Sequence, residues 1–184
     1  MEFDFTLKFK LATNTPVADE FIERLHAVGC DDALLGVGQP GRVAMQFVRE
    51  AASAQNAIVS ALEAVKDAIP DAKLLEVAPD FVGLSDVAEF VGVSRQNMRK
   101  LMLTHKDHFP APFHEGSAAL WHLYPVLMWL KGRPGYDIAQ SLVDVAYVAM
   151  QINQHVLPCY APYNGSLTAN ELKAISNFAG GSSG

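Results

Sequence analysis

Cysteine, charge and long hydrophobic runs are all scarce in this sequence of 184 residues. The two cysteines, Cys30 and Cys159, stand far apart, so we expect neither a disulfide framework nor a cysteine zinc site. Only 18% of the residues are charged while 50% are hydrophobic, which excludes a disordered chain. No apolar run approaches the roughly 18 residues of a membrane span, and no secretory leader opens the chain, so the sequence predicts a soluble cytoplasmic protein without membrane contact.

The charge is distributed unevenly along the chain. Residues 1–80 contain 13 acidic and 7 basic side chains, whereas residues 81–184 contain 7 of each, so the net charge of −6 belongs to the first part. Within 84–133 there are six basic residues and four acidic ones. We therefore expect two modules with different partners, and any contact with nucleic acid must come from the second.

Residues 1–80 predict a module with the element order βαββαβ. The predicted elements are a strand at 3–11, a helix at 17–29, strands at 33–37 and 42–49, a helix at 54–69 capped by Ser53, and a strand at 73–77. Strands are predicted from period-two alternation and helices from apolar residues three and four apart. This is the ferredoxin-like order, an antiparallel sheet with two helices on one face. The segment 42–50 could instead begin the helix that follows it.

The segment Gly36-Val-Gly-Gln-Pro-Gly41 matches the G-x-G-x-x-G pattern of dinucleotide-binding loops. Such a loop must join a strand to the start of a helix, so that the pyrophosphate meets the helix N-terminus. Here Val43, Met45 and Phe47 alternate with polar or small residues as in a strand. We interpret the segment as a hairpin turn, and an enzyme or cofactor protein that uses this loop is the third-ranked hypothesis.

Residues 84–101 have the spacing of a helix-turn-helix. Ser85 can cap a first helix and Ser94 a second, and Gly92 lies between them, where a sharp turn needs a left-handed residue. A small residue at position 88 lets the two helices cross closely. The apolar residues expected to face inward are Val87, Ala88, Val91, Val93, Met98 and Leu101.

The outward positions of the second helix are polar or basic. Such side chains can pair with guanine, adenine or phosphate, although an ordinary solvated face would have a similar composition. The candidate DNA-binding residues, including those of the following turn and loop, are Ser94, Arg95, Gln96, Asn97, Arg99, Lys100, Lys106, Gly116 and Ser117.

Residues 109–130, FPAPFHEGSAALWHLYPVLMWL, predict a small β-wing around a Glu-Gly-Ser turn, followed by a helix with Pro125 in its first turn. With the preceding helix-turn-helix, this segment resembles the winged-helix domains of the excisionase and AlpA-like regulators of the MerR-type superfamily, over about residues 83–131. The resemblance implies that the second helix enters the major groove and that the wing tip, Gly116 and Ser117, touches an adjacent groove or the backbone.

The sequence departs from this family around the wing. Ala118, Ala119 and His122 stand where the family usually has a basic residue. We therefore expect weak binding by a single unit and self-association into a homodimer on two half-sites of double-stranded DNA.

No cofactor or metal is expected. The histidines at 105, 108, 114 and 122 suggest zinc, but no cysteine or acidic ligand completes the set, so loop or DNA-facing histidines are the better interpretation. G-x-S-x-G, HExxH and P-loop motifs do not occur, so nothing predicts an enzyme.

A helical tail is predicted over 134–179. Apolar residues from Ile138 to Val156 recur three and four apart, typical of an amphipathic helix that packs on the winged unit or forms a dimer. A short helix is expected within 167–177. The final residues, 180–184, have the composition of an artificial linker and are left out of the fold prediction.

These patterns together predict a DNA-binding transcriptional regulator, with residues 1–80 serving dimerisation, sensing of a small molecule or binding of a protein. The alternative is an antitoxin-like or defence-system adaptor, in which residues 1–80 hold a partner protein and DNA binding autoregulates the operon. The acidic first module should lie away from the duplex, because its charge repels DNA.

Overall fold

The computed structural model describes residues 1–12, 18–28, 30, 32–37, 41–156, 168–170 and 173. In these residues the fold is mixed α+β, with a four-stranded antiparallel sheet, a two-stranded sheet and six helices. The elements are β1 (Glu2–Lys10), α1 (Ala18–Ala27), β2 (Ala33–Val37), β3 (Arg42–Glu50), α2 (Ala54–Ala68), β4 (Lys73–Ala78), β5 (Phe81–Val82), α3 (Leu84–Phe90), α4 (Arg95–Thr104), β6 (Trp121–His122), α5 (Leu123–Lys131) and α6 (Gln140–Val156).

The larger sheet has the strand order β2-β3-β1-β4, and every neighbouring pair is antiparallel. The segment 42–50 is therefore a strand, and the alternative that it begins a helix is wrong. The pairing of β2 with β3 confirms a hairpin connection, with Gly41 at a φ of 75° just before β3. Residues 38–40 lie outside the described residues. Because a strand rather than a helix follows Gly41, the context of a dinucleotide loop is missing.

One face of this sheet is buried by helices. Phe5 of β1 stacks on Phe47 of β3 with ring centroids 5.3 Å apart. Leu25 of α1 and Ile58 of α2 pack in the same core. The side chain of Ser53 accepts a hydrogen bond from the Asn56 N–H and caps α2, as the sequence predicts.

A second core lies around α3, α4 and α5. Val87 and Met98 are fully buried there together with Leu127 and Leu130 of α5. Strand β5 precedes α3 and pairs with β6, which leads directly into α5. The short sheet therefore joins the two ends of this second unit.

Helix α6 packs on both cores. Val145 and Ala149 belong to the first core, whereas Val143 and Ala146 belong to the second. The predicted packing of this helix on the second unit is therefore confirmed, and its packing on the first core, by which it joins the two units, was not predicted. The alternative of a dimer helix stays a prediction.

A buried polar network completes this junction. Asn153 of α6 accepts a hydrogen bond from the Val77 N–H and donates to the Val77 carbonyl, both at 2.8 Å, and donates to Asp80 Oδ2 at 2.9 Å. The other carboxylate oxygen of Asp80 accepts from His122 Nδ1 at 2.7 Å, and its carbonyl accepts from the Leu123 N–H. Asp80 and Asn153 are each 1% exposed, so the network satisfies groups that would otherwise be costly to bury.

Of the helices in the described ranges, none has the length and hydrophobicity required to cross a membrane. The short helix predicted within 167–177 and the segment 180–184 fall largely outside the described residues.

Candidate nucleic-acid interface

The turn between α3 and α4 has the geometry that the sequence predicts. Gly92 adopts a φ of 69°, in the left-handed region, where a side chain would be strained. The Val93 N–H donates to the Ala88 carbonyl at 2.9 Å, which closes the turn. Ser94 then caps α4 by accepting from the Asn97 N–H at 3.1 Å. The start of α4 is thereby fixed relative to α3.

The predicted cap of the first helix is wrong. Ser85 lies inside α3, which begins at Leu84, and Gly83 occupies the cap position. The Asp86 carboxylate accepts from the Gly83 N–H at 2.7 Å. An acidic residue in the first turn also suits the positive end of the helix dipole, so Asp86 fixes the start of α3 from inside its first turn.

Helix α4 has one buried side and one exposed side. Met98 is fully buried, and Leu101 and Met102 pack against the second core. The predicted DNA-binding residues of the helix and its cap are all exposed, namely Ser94, Arg95, Gln96, Asn97, Arg99 and Lys100. Lys106, in the turn after α4, is exposed as well.

Residues 109–122, which we call the wing after their predicted role, form a shorter hairpin than the sequence suggests. A single bridge joins His114 to Leu120, and residues 115–119 form the tip, with Gly116 and Ser117 exposed. The chain then pairs as β6 with β5 rather than extending the hairpin. The wing is therefore a tight loop fixed at its base by the small sheet.

Helix α4, the wing and the start of α3 line a common groove of about 530 Å³, to which α3 contributes the acidic Asp86. Arg95 and Arg99 contribute from the helix, and Ser117 to Trp121 contribute from the wing side. A second groove of about 400 Å³ runs along α4 and is lined by Gln96, Lys100 and Leu103, together with Arg99. The structure thus brings Arg95, Arg99 and Ser117 to one concave surface and places Gln96 and Lys100 beside it.

The charge of this surface comes from the helix rather than from the wing. Between residues 110 and 122 there is no lysine or arginine, and Glu115 lies at the wing tip. His122, noted among the wing residues, points into the interior, where it donates to Asp80. The wing therefore offers backbone N–H groups and the Ser117 hydroxyl, but no cation.

Sequence reasoning missed an aromatic and cationic stack behind α4. The Arg133 guanidinium lies 3.8 Å from the centroid of the Trp129 ring, and its Nη1 lies 3.3 Å from His105 Nε2. Trp129 also packs edge-on against Phe109, with centroids 5.0 Å apart. This stack holds the turn after α4 against α5. Within the described part of the chain, no three potential ligands come together as a metal site.

A separate ion pair lies in the first unit, away from this surface. Arg49 Nε donates to Asp32 Oδ2 at 2.6 Å and Arg49 Nη2 donates to Asp32 Oδ1 at 2.8 Å. The hydrogen bond from Arg49 lowers the pKa of Asp32, and the same bond raises the pKa of Arg49. Arg49 also reaches the buried Cys30 thiol at 3.7 Å, so this side chain holds Cys30 and Asp32 against β3.

A comparison of the chain with protein-family models, curated proteins and solved structures finds no match.

Proposed function

We propose that the chain is a cytoplasmic DNA-binding transcriptional regulator, in which α4 enters the major groove of double-stranded DNA. The observation that carries the proposal is the division of α4 into a buried apolar side and an exposed side with Arg95, Arg99 and Lys100. The glycine turn and the Ser94 cap hold that helix at a fixed angle to α3. This division suits a helix that is anchored from behind and reads bases in front.

We also propose that residues 1–80 are a ferredoxin-like module, which the strand order β2-β3-β1-β4 with two helices on one face supports. Residues 81–133 are then a winged helix-turn-helix, supported by the α3–α4 turn and the bridge at His114 and Leu120. The wing contributes shape and hydrogen bonds rather than charge.

The exposed side chains have separable roles in such a complex. An arginine fork bonds the O6 and N7 atoms of guanine in a bidentate manner, and glutamine pairs with adenine. Lysine more often meets phosphate as a point charge. We therefore assign base contacts to Arg95, Gln96 and Arg99, and a phosphate contact to Lys100. Ser117 lines the same groove as the two arginines and can donate to a phosphate from the wing.

Selection of bound fragments from a random DNA pool at constant salt tests this function. We expect enrichment of a common motif with one or two guanines at the positions that α4 contacts. Absence of any enriched sequence, with binding as weak as to the starting pool, would contradict the proposal.

The selected fragment then separates the roles of the side chains. Arg99→Ala should lose about 1–3 kcal/mol of binding free energy and relax the preference at one base. Lys100→Ala should weaken all sequences alike and reduce the slope of log K against log salt by about one. Lys66→Ala is the matched control, because Lys66 lies on α2 and donates to the Pro70 carbonyl; it should change neither quantity.

A further inference from the structure

The face of the large sheet opposite α1 and α2 is exposed along β1, β2 and β3, and we call it the open face. It consists of the even-numbered residues of β1 and β3, together with Leu34 and Gly36 of β2. In β4 it includes Ala78, Glu76 and Lys73, which pair with Thr6, Lys8 and Lys10 of β1. At the β4 edge α3 borders this face, because Lys8 and Glu76 line one concavity with Glu89 and Phe90. Leu34 is 71% exposed and Val48 is 51% exposed, although both are large apolar side chains. An exposed sheet face that carries such residues is a candidate contact surface.

Charge is segregated along the strands of the open face. In β1 the order is Glu2, Asp4, Thr6, Lys8, Lys10, so one end is acidic and the other basic. The neighbouring strand repeats this order in space, because Glu50 pairs with Glu2 and Arg42 pairs with Lys10. On the other side of β1, Lys73 also pairs with Lys10.

This arrangement sets like charges directly opposite one another, which destabilises a strand pair. Lys8 is compensated by Glu76 at 3.0 Å. In the described ranges, Lys10, Arg42 and Lys73 form no ion pair. At the acidic end the Met1 ammonium donates to the Ala51 carbonyl, and no ion pair to Glu2 or Glu50 is found among the described residues. Both ends would therefore gain ion pairs from a surface with the opposite order.

The open face of a second copy is such a surface. Thr6, Gln46 and Leu34 lie side by side in one uncharged row across the sheet. Consider a two-fold axis that runs along this row, between the two facing sheets. A residue four positions before the row in one copy then lies over the residue four positions after the row in the other copy. Glu2 then meets the partner's Lys10, and Glu50 meets the partner's Arg42.

We propose that two copies of this chain associate through their open faces, with strands antiparallel across the interface and Leu34 of each copy at the two-fold axis. Two strands of nine residues, one of six and one of five, about 4.8 Å apart and with about 3.3 Å per residue, give a flat area of roughly 460 Å². This is below the roughly 800 Å² that each partner buries in a standard interface. The dimer should therefore be reversible and weaken with salt, because exposed ion pairs are screened.

The symmetry has a consequence for the other unit. An axis across the strands keeps β4 of one copy over β4 of the partner subunit. Because β5 and α3 follow β4 directly, both copies of the second unit leave from the same edge of the dimer. The association itself does not depend on DNA binding and is measured without DNA.

A charge exchange tests the proposal by analytical ultracentrifugation. The variant Lys10→Glu with Arg42→Glu has two acidic ends, and Glu2→Lys with Glu50→Lys has two basic ends. Each exchange replaces one like-charged pair by another, so the fold should tolerate it. We expect the parent to form dimers, each variant alone to be monomeric, and an equimolar mixture to form heterodimers.

Two further variants sharpen the test. Glu63→Lys with Asp67→Lys changes the net charge as much as the basic exchange, but on the exposed side of α2, and should dimerise like the parent. Leu34→Asp places two carboxylates at the axis and should give a monomer with unchanged circular dichroism. A parent that stays monomeric at about 100 µM, far above the range of specific complexes, overturns the proposal. A dimer that persists in every open-face variant also overturns the proposal.

Discussion

Replacing Asn153 by alanine probes the junction between the two units. This side chain makes three hydrogen bonds, two to the Val77 backbone and one to Asp80, at 2.8, 2.8 and 2.9 Å. Its burial to 1% exposure means that water does not satisfy these groups in the folded chain. Alanine keeps the helix but removes all three bonds at once.

The expected loss follows from the groups left behind. The Val77 N–H, the Val77 carbonyl and one Asp80 oxygen each lose a partner, and each such buried group costs about 1–3 kcal/mol. Water that enters the vacated space recovers part of this, so we expect the free energy of unfolding to fall by about 3–5 kcal/mol. With a urea slope near 2 kcal/mol per molar, the midpoint should fall by about 2 M.

Urea unfolding followed by two signals measures the effect. Both tryptophans, Trp121 and Trp129, lie in or against the second core, so their fluorescence reports that unit, while far-ultraviolet circular dichroism reports the whole chain. The two transitions should coincide in the parent, because α6 packs on both cores, and both should move in Asn153→Ala. Gln154→Ala, exposed on the same helix, is the control. A shift in Asn153→Ala no larger than in this control would refute the reasoning.

Three other changes test local features of the fold. Gly92→Ala should lower the free energy of unfolding by about 1 kcal/mol because of the positive φ, whereas Gly132→Ala, at a φ of −73°, should not. Ser94→Ala should cost about 1 kcal/mol by removing the cap of α4; unfolding midpoints check both. The pKa of Asp32 is lowered by its hydrogen bond from Arg49. The pair therefore stabilises the fold at any pH above the ordinary aspartate pKa of about 3.9. This stabilisation is lost as the pH falls through the lower pKa of the folded state. In Asp32→Asn, the free energy of unfolding should therefore fall less steeply than in the parent as the pH is lowered in this range.

Local patterns were sufficient to predict most elements. Alternation over 42–49 correctly predicted β3, because one face of that strand is buried and the other exposed. The turn at Gly92 and the cap at Ser94 were predicted because both depend on a few adjacent residues. The exposure of the candidate residues of α4 followed from the 3.6-residue period in the same way.

Contacts between distant segments could not be predicted. Asn153 is a polar residue of an amphipathic helix, where an exposed position is expected, yet it is buried because β4 lies beside it, 76 residues earlier in the chain. His122 was interpreted as a wing residue, but its ring faces Asp80, which no local pattern indicates. The Ser85 cap was wrong for a local reason, since the Asp86 carboxylate bonds the Gly83 N–H and the helix begins one residue before Ser85. In each case the outcome depends on a partner that periodicity does not identify.

The affinity of one double variant for the selected DNA fragment tests the central claim most directly. Arg95→Ala with Arg99→Ala removes both forks that line the groove between α4 and the wing, and neither side chain contributes to the second core. Lys66→Ala with Lys131→Ala removes the same charge from other helices. Fluorescence anisotropy at fixed salt should show a loss of about 2–6 kcal/mol in the arginine variant and the parent's specificity in the lysine variant. An arginine variant that still binds the selected fragment as tightly as the parent would contradict the claim that α4 reads DNA.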